Sequence, residues 1–259
     1  MTRRLAFEGL DNFRDFGGYA AGPRQMARGR FYRSAHPARA TEADVERLAA
    51  MNFAAVIDLR RPDERENETT RSWHAAPVID NDVNHDGDAL GEDAYSELLR
   101  NSDLSADTFR AFLKRFYGFA PFVPRHVHLF SRYFDALSTA EGPILVHCRA
   151  GKDRTGIIVA LTHLLAGVHR DDIFEDYLAT NDPEYLQRIV PGIVESVRAQ
   201  FGRAPTLEAM TVVMSVEASY LEASFAAIEA HSGDIEAYLR ETLGVDARKR
   251  ALIEKRLFD

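Results

Sequence analysis

The chain has 259 residues, 46% of them hydrophobic and 28% charged, and a net charge of −8. That is enough apolar material for one large globular domain, and the acidic balance argues against a nucleic-acid binder or a basic membrane-docking surface. A lone cysteine, Cys148, excludes a disulfide framework or a cysteine-based metal site within one chain. The opening Met-Thr-Arg-Arg-Leu-Ala-Phe-Glu has no signal-like apolar stretch, and no later run is long enough to span a bilayer. A cytoplasmic protein without stable membrane insertion is expected, export without a cleaved signal being left open.

Taken in order, Asn12-Phe-Arg-Asp-Phe-Gly-Gly18 is a turn-rich segment of alternating polar and aromatic residues. Gly29 to Ala35 reads as a strand with Phe31 on one face; Arg33 and Ser34 at its end face an anion site or plain surface. Thr41 to Asp44 carries a capping-box pattern opening a helix whose buried face is Val45, Leu48 and Ala49. The apolar run Ala54 to Leu59 predicts a buried parallel strand. Asp58, Arg60 and Glu64 follow at its carboxyl end, where ligands collect in open α/β sheets; an ion pair supporting a site is the expected role.

From Asp80 to Asp93 the chain is acidic and reads as a solvated loop, with His85 among aspartates as a weaker metal alternative. Ser105 to Gly118 and Pro124 to Leu137 predict helices, and Phe116, Tyr117, Phe119 and Phe122 form an aromatic cluster that fits a core or a surface flanking substrate. Ile144, Leu145 and Val146 are another continuous apolar strand, and Thr155 to Ala166 an almost wholly buried helix stopped at Gly167. Further helices begin at Asp171-Asp172, Asp182-Pro183, Asp234 and Asp246. Pro191 is expected to kink or end its helix, and Pro205 to His231 to form one long one.

Between the third strand and its helix lies Cys148-x5-Arg154. Its amides can turn inward at a helix N-terminus, an arrangement that binds anions. Cys148 at the positive end of that helix, beside Arg154, is a nucleophile in a setting that favours the thiolate. Arg154 can fork two hydrogen bonds onto phosphate oxygens, and Thr155 offers a hydroxyl to the sulfur. A phosphoryl group cradled by amides and attacked in line by sulfur fits such a loop. His147 precedes the nucleophile and is expected to orient the loop.

His147-Cys-Arg-Ala-Gly-Lys-Asp-Arg-Thr-Gly156, with Asn12-Phe-Arg-Asp-Phe-Gly-Gly18, resembles the cysteine-dependent protein tyrosine phosphatase superfamily. The fuller wording resembles one branch of it, the bacterial, mycobacterial-type tyrosine phosphatases that also accept phosphoinositides. The resemblance implies an α/β fold with a central, mostly parallel sheet flanked by helices and a helical C-terminal extension. It also implies one phosphatase domain, with a helical lid placed within residues 191–230. It implies hydrolysis of phosphotyrosine in proteins through a phosphocysteine intermediate, with phosphoserine, phosphothreonine or phosphoinositides as further substrates and inorganic phosphate as product. No metal or cofactor is called for. Arg149, Ala150, Gly151, Lys152, Asp153, Arg154 and Thr155 would hold the phosphate, and Arg14 and Asp15 would support the site from the N-terminal motif, as Asp58 and Arg60 would from the second strand. The leaving oxygen needs a proton from an aspartate. Asp86 is the first choice, Asp82 and Asp88 are rivals, and Asp153 inside the loop is the other candidate. Lys152 either points to solvent or contacts a second substrate phosphate. The alternatives are an inositol-phosphate or phosphoinositide phosphatase, a sulfurtransferase or arsenate reductase, and a non-catalytic phosphate-binding module. The seven-membered loop from Cys148 to Arg154 disfavours sulfur transfer, and the intact Cys148 and Arg154 disfavour the non-catalytic module.

Overall fold

The computed structural model describes residues 4–70, 73, 77–80 and 92–259. The strands are β1 (Arg14–Asp15), β2 (Ala20–Ala21), β3 (Arg24–Gln25), β4 (Phe31–Ser34), β5 (Ala55–Asp58), β6 (Val78–Ile79) and β7 (Ile144–His147). The helices are α1 (Glu42–Ala50), α2 (Pro62–Asn67), α3 (Glu92–Asn101), α4 (Ala106–Phe119), α5 (Pro124–Thr139) and α6 (Asp153–Ala166). They continue with α7 (Arg170–Leu178), α8 (Pro183–Phe201), α9 (Leu207–Met214), α10 (Ala218–Ser232), α11 (Ile235–Ala237) and α12 (Ala247–Phe258).

The sheet runs β1-β4-β7-β5-β6, parallel throughout except for β1 at one edge, while β2 and β3 form a separate hairpin. β7 and β5 read as apolar runs because both faces are covered, whereas β4 (Phe-Tyr-Arg-Ser) carries a buried arginine and serine at its end. Alternation still sorts their side chains. Ile144, Val146, Ala55 and Ile57 enter the main core with α5, α6 and the C-terminal helices. Leu145 and Val56 point to the other face, against Phe13, Leu48 of α1, Phe53 and Trp73. The register aligns Ser34, His147 and Asp58 in one row at the carboxyl ends of three neighbouring strands. Everything that follows those three residues is therefore gathered at one edge of the sheet.

A separate apolar cluster joins α3, α4, α8 and α9 through Leu99, Phe109, Val190, Val194, Val197 and Met210. Here one expectation is narrowed and one fails. Pro191 lies inside α8 without ending it. The buried Val190, Val194 and Val197 face outweighs the one backbone hydrogen bond that proline removes. The expected single helix from Pro205 to His231 is two, α9 and α10, broken at Ser215, whose backbone is extended. The Asn181 side chain fills the gap, donating to the Val216 carbonyl and accepting from its N–H, both at 2.8 Å. No helix among the described residues is long and apolar enough to cross a membrane.

Candidate active site

The site is built where β7 ends. Cys148 directly follows the strand, is 2% exposed, and is separated from α6 by four residues. Gly151, in the middle of that loop, has φ +63°, and a Cβ there would lie 2.1 Å from the Ser34 carbonyl oxygen. Only glycine fits both the left-handed backbone and the close approach of β4.

Arg154, in the first turn of α6, is held by a carboxylate. Its Nη1 and Nη2 donate to the Glu64 carboxylate at 2.6 and 2.8 Å, and Nη1 also donates to the Leu59 carbonyl at 3.0 Å. A guanidinium has five N–H groups. Three are used, and those left, Nε–H and one on Nη2, lie along one edge. That edge has no partner among the described residues and has the geometry that grips a phosphate bidentately. Burial opposes the charge on Glu64, yet the charge and hydrogen bonds of Arg154, with Arg61, hold its carboxyl well below the usual range. Burial likewise opposes the charge of Arg154, and Glu64 overcomes it, so the guanidinium stays firmly protonated.

Beneath the loop, Asp58 and Arg60 pair in a fork (Nε–Oδ1 3.0 Å, Nη2–Oδ2 2.7 Å), and Arg60 reaches on to the Glu68 carbonyl and Thr70 hydroxyl, both at 2.7 Å. His147 sits above this pair, its Nδ1 3.6 Å from Asp58 and 3.3 Å from the Cys148 carbonyl; burial lowers its pKa. Glu68 accepts from His36 at 2.9 Å and from the exposed Arg149 at 3.4 Å. Burial pushes the His36 imidazole down to about 4, so at physiological pH the ring is neutral and the contact is a hydrogen bond to the carboxylate rather than an ion pair.

On the opposite flank, Asp176 of α7 lies between two buried arginines, Arg14 at 3.0 Å and Arg33 at 2.6 Å. Arg33 also donates to the Gly151 carbonyl at 2.9 Å. Arg14 reaches the loop through Asn12, whose amide donates to the Ala150 and Gly151 carbonyls at 3.3 and 2.9 Å.

Of the anticipated residues, the structure gathers Cys148, the loop from Arg149 to Thr155, His147, Asp58, Arg60 and Arg14. Arg33 does not face the anion site: it is fully buried and supports the loop from outside. Ser34 contributes its carbonyl against Gly151, while its hydroxyl bonds Ala35. Asp15 is elsewhere, accepting from the Gly17 and Gly29 N–H groups near the start of β4. Thr155 is buried, and its hydroxyl finds no hydrogen-bond partner among the described residues, the sulfur included. Asp82, His85, Asp86 and Asp88 lie outside the described residues.

Two readings change. Lys152 is not a free cation at the rim: it is 4% exposed, its ammonium donates to the Val213 and Ser215 carbonyls at the end of α9, and it lies 3.5 Å from Asp153. Tyr117 is core and more: its hydroxyl donates to Asp153 Oδ1 at 2.8 Å and accepts from Tyr177 at 2.7 Å. Burial and the neighbouring Asp153 keep both phenols protonated, well above the ordinary tyrosine range. Asn12, Glu68, Tyr117, Tyr177 and Asp176 were not identified from the sequence as partners of the loop. The one legible signal was Asp176, a carboxylate on the same helix face as Ile173 and Tyr177, where burial requires a counter-charge.

A buried cysteine at the end of a parallel strand lies four residues before a helix whose first turn carries an arginine with one open edge, an arrangement suited to binding a phosphate group. The family model for the tyrosine phosphatase family matches residues 5–259, and the chain belongs to that family. A protein of Cupriavidus necator named as a tyrosine-protein phosphatase is 37% identical, with 93% of this chain and 85% of that protein covered. The triple specificity protein phosphatase PtpB of Mycobacterium tuberculosis is 29% identical over 90% of this chain and 91% of its own length. The chain is therefore a phosphatase acting on a phosphorylated substrate.

Proposed function

We propose that the chain hydrolyses phosphotyrosine in proteins through a phosphocysteine intermediate. The observation carrying this reading is the state of Arg154. Glu64 and Leu59 hold three of its donors, and the open Nε–Nη2 edge belongs to the loop that carries Cys148. In the first step the sulfur attacks phosphorus and the bond to the leaving oxygen breaks. Arg154 and the loop amides hold the equatorial oxygens. Asp153 delivers the proton to the leaving oxygen, with Tyr117 fixing its Oδ1 and leaving Oδ2 for the proton. In the second step Asp153 takes a proton from water, which attacks phosphorus; the P–S bond breaks and phosphate leaves. Asp86 keeps its claim to the same role.

The broader reading adds phosphoserine, phosphothreonine or phosphoinositides. A second substrate phosphate would have to draw Lys152 from the α9 carbonyls or meet Arg149, which is 63% exposed. The helical cover within residues 191–230 is read as the second half of α8, α9 and most of α10, held to the loop by Lys152.

One assay with two variants tests the mechanism. Cys148→Ser should abolish turnover of an aryl phosphate, with or without chelator, while still binding inorganic phosphate. Asp153→Asn should lose most of its rate on a poor alkyl leaving group and little on an activated aryl one. Full activity in the serine variant, or equal losses by the asparagine variant on both substrates, would overturn the respective assignment.

A further inference from the structure

In the loop that follows Cys148, three consecutive carbonyls are tied down from outside. The Arg149 carbonyl accepts from the His36 N–H at 3.1 Å. The Ala150 and Gly151 carbonyls accept from the Asn12 amide, and Gly151 also accepts from Arg33. In a planar trans peptide the carbonyl of one residue and the N–H of the next point in opposite directions. Each tether therefore turns the following N–H away from it, which directs the amides of Ala150, Gly151 and Lys152 to the inner side of the loop. None of those three N–H groups has a hydrogen bond among the described residues. Unpaired amides of this kind in a half-buried loop await an acceptor.

Asn12 is the hinge of this arrangement. Its backbone is left-handed, with φ 58°. Arg14 donates to both its side-chain and main-chain oxygens. Because the arginine can only donate, it claims Oδ1 and leaves Nδ2 as the group facing the loop. Arg14 is in turn fixed by Asp176, which also fixes Arg33. One carboxylate on α7 thus controls both routes to the Gly151 carbonyl.

We propose that Asn12, oriented by Arg14, is a positioning residue for the transition state, acting by holding the Ala150 and Gly151 carbonyls outward so that the next two amides converge on the equatorial oxygens. This rests on the phosphatase reading above and deepens it. Arg33 and Asp176 complete the same support from the other side.

The test uses Asn12→Gly, which keeps the left-handed backbone without strain and deletes only the side-chain tethers. Two quantities are measured on the full chain: kcat/KM for an aryl phosphate, and the affinity for vanadate, whose trigonal-bipyramidal form reports on the cradle. Loss of properly aimed amides should lower kcat/KM by about 10- to 100-fold and weaken vanadate binding in parallel, with the melting temperature nearly unchanged. Asn12→Asp, which still accepts from Arg14 but cannot donate to the carbonyls, should lose at least as much. Vanadate affinity and kcat/KM within about twofold of the parent in the glycine variant would overturn the proposal. So would a lowered melting temperature with unchanged vanadate affinity, since that describes support for the fold alone. Absence of turnover in the parent chain would instead sink the phosphatase reading, and the ratio of vanadate affinities would still decide the role of Asn12.

Discussion

The loop is gripped from two sides by buried arginines, and the two grips differ in stoichiometry. At Glu64, the carboxylate grips Arg154 while the more distant Arg61 is matched by Asp63, so two carboxylates meet two arginines and the group is neutral. At Asp176, one carboxylate meets two arginines, leaving one positive charge over. The consequences are visible in the titration behaviour. Arg154 is made harder to deprotonate by Glu64 despite its burial. Arg14 is brought down to about 10, first by burial and then by the charge of Arg33. A neutral cluster is suited to aligning a group that must itself meet the substrate. A two-to-one cluster spends its geometry on the backbone and leaves a positive field under a loop built for an anion.

Breaking the uneven cluster should have the largest effect. Asp176→Asn leaves two fully buried guanidiniums without a counter-charge, and the loss of folding stability should be about 3–5 kcal/mol, read by denaturant unfolding. A change below about 1 kcal/mol would mean that water or carbonyl groups already balance the charge. The even cluster should respond in activity before stability. Glu64→Gln keeps the shape but frees Arg154 to rotate, so kcat/KM should fall by about 100-fold, or near 2.7 kcal/mol in transition-state terms. An unaltered kcat/KM would show that Leu59 alone holds Arg154.

The smallest expected effect is in acid. Asp176 is opposed by burial but held far below its ordinary 3.8 by Arg14 and Arg33; Glu64 is likewise opposed by burial and held far below 4.5 by Arg154. Unfolded carboxyls take up protons near those ordinary values, while the folded ones do so only at lower pH. The stability they contribute is complete above about pH 4.5 and is lost as pH falls below that. Each contributes a slope of up to about 1.4 kcal/mol per pH unit there. A variant lacking either carboxylate should show a correspondingly shallower loss between about pH 4 and 2. Identical slopes would contradict the assigned shifts.

What could be read ahead of the structure followed from local rules. The two apolar runs mark β5 and β7 because parallel strands hide both faces, β4 was legible around Phe31, and the caps at Thr41, Asp182, Asp234 and Asp246 each mark an observed helix start. Cys148, Arg154 and the glycine between them are contiguous and carry their geometry in their spacing. The supports are not contiguous. Asn12 and the Ala150 carbonyl are 138 positions apart, and Arg14 and Asp176 are 162 apart, so no local periodicity links them. The split between α9 and α10 escaped for the same reason, since it depends on Asn181, 35 residues upstream. Lys152 was misread because its partners are main-chain carbonyls, which have no letter in a sequence.

The burial of Cys148 has a further use. It is the only thiol in 259 residues and is 2% exposed, so every equivalent of alkylating agent consumed counts one site. Its alkylation rate in the native protein reports how readily a small reagent reaches the sulfur in its loop, and an anion held there should slow it. The loop thus carries its own gauge of access to the site, readable without a substrate.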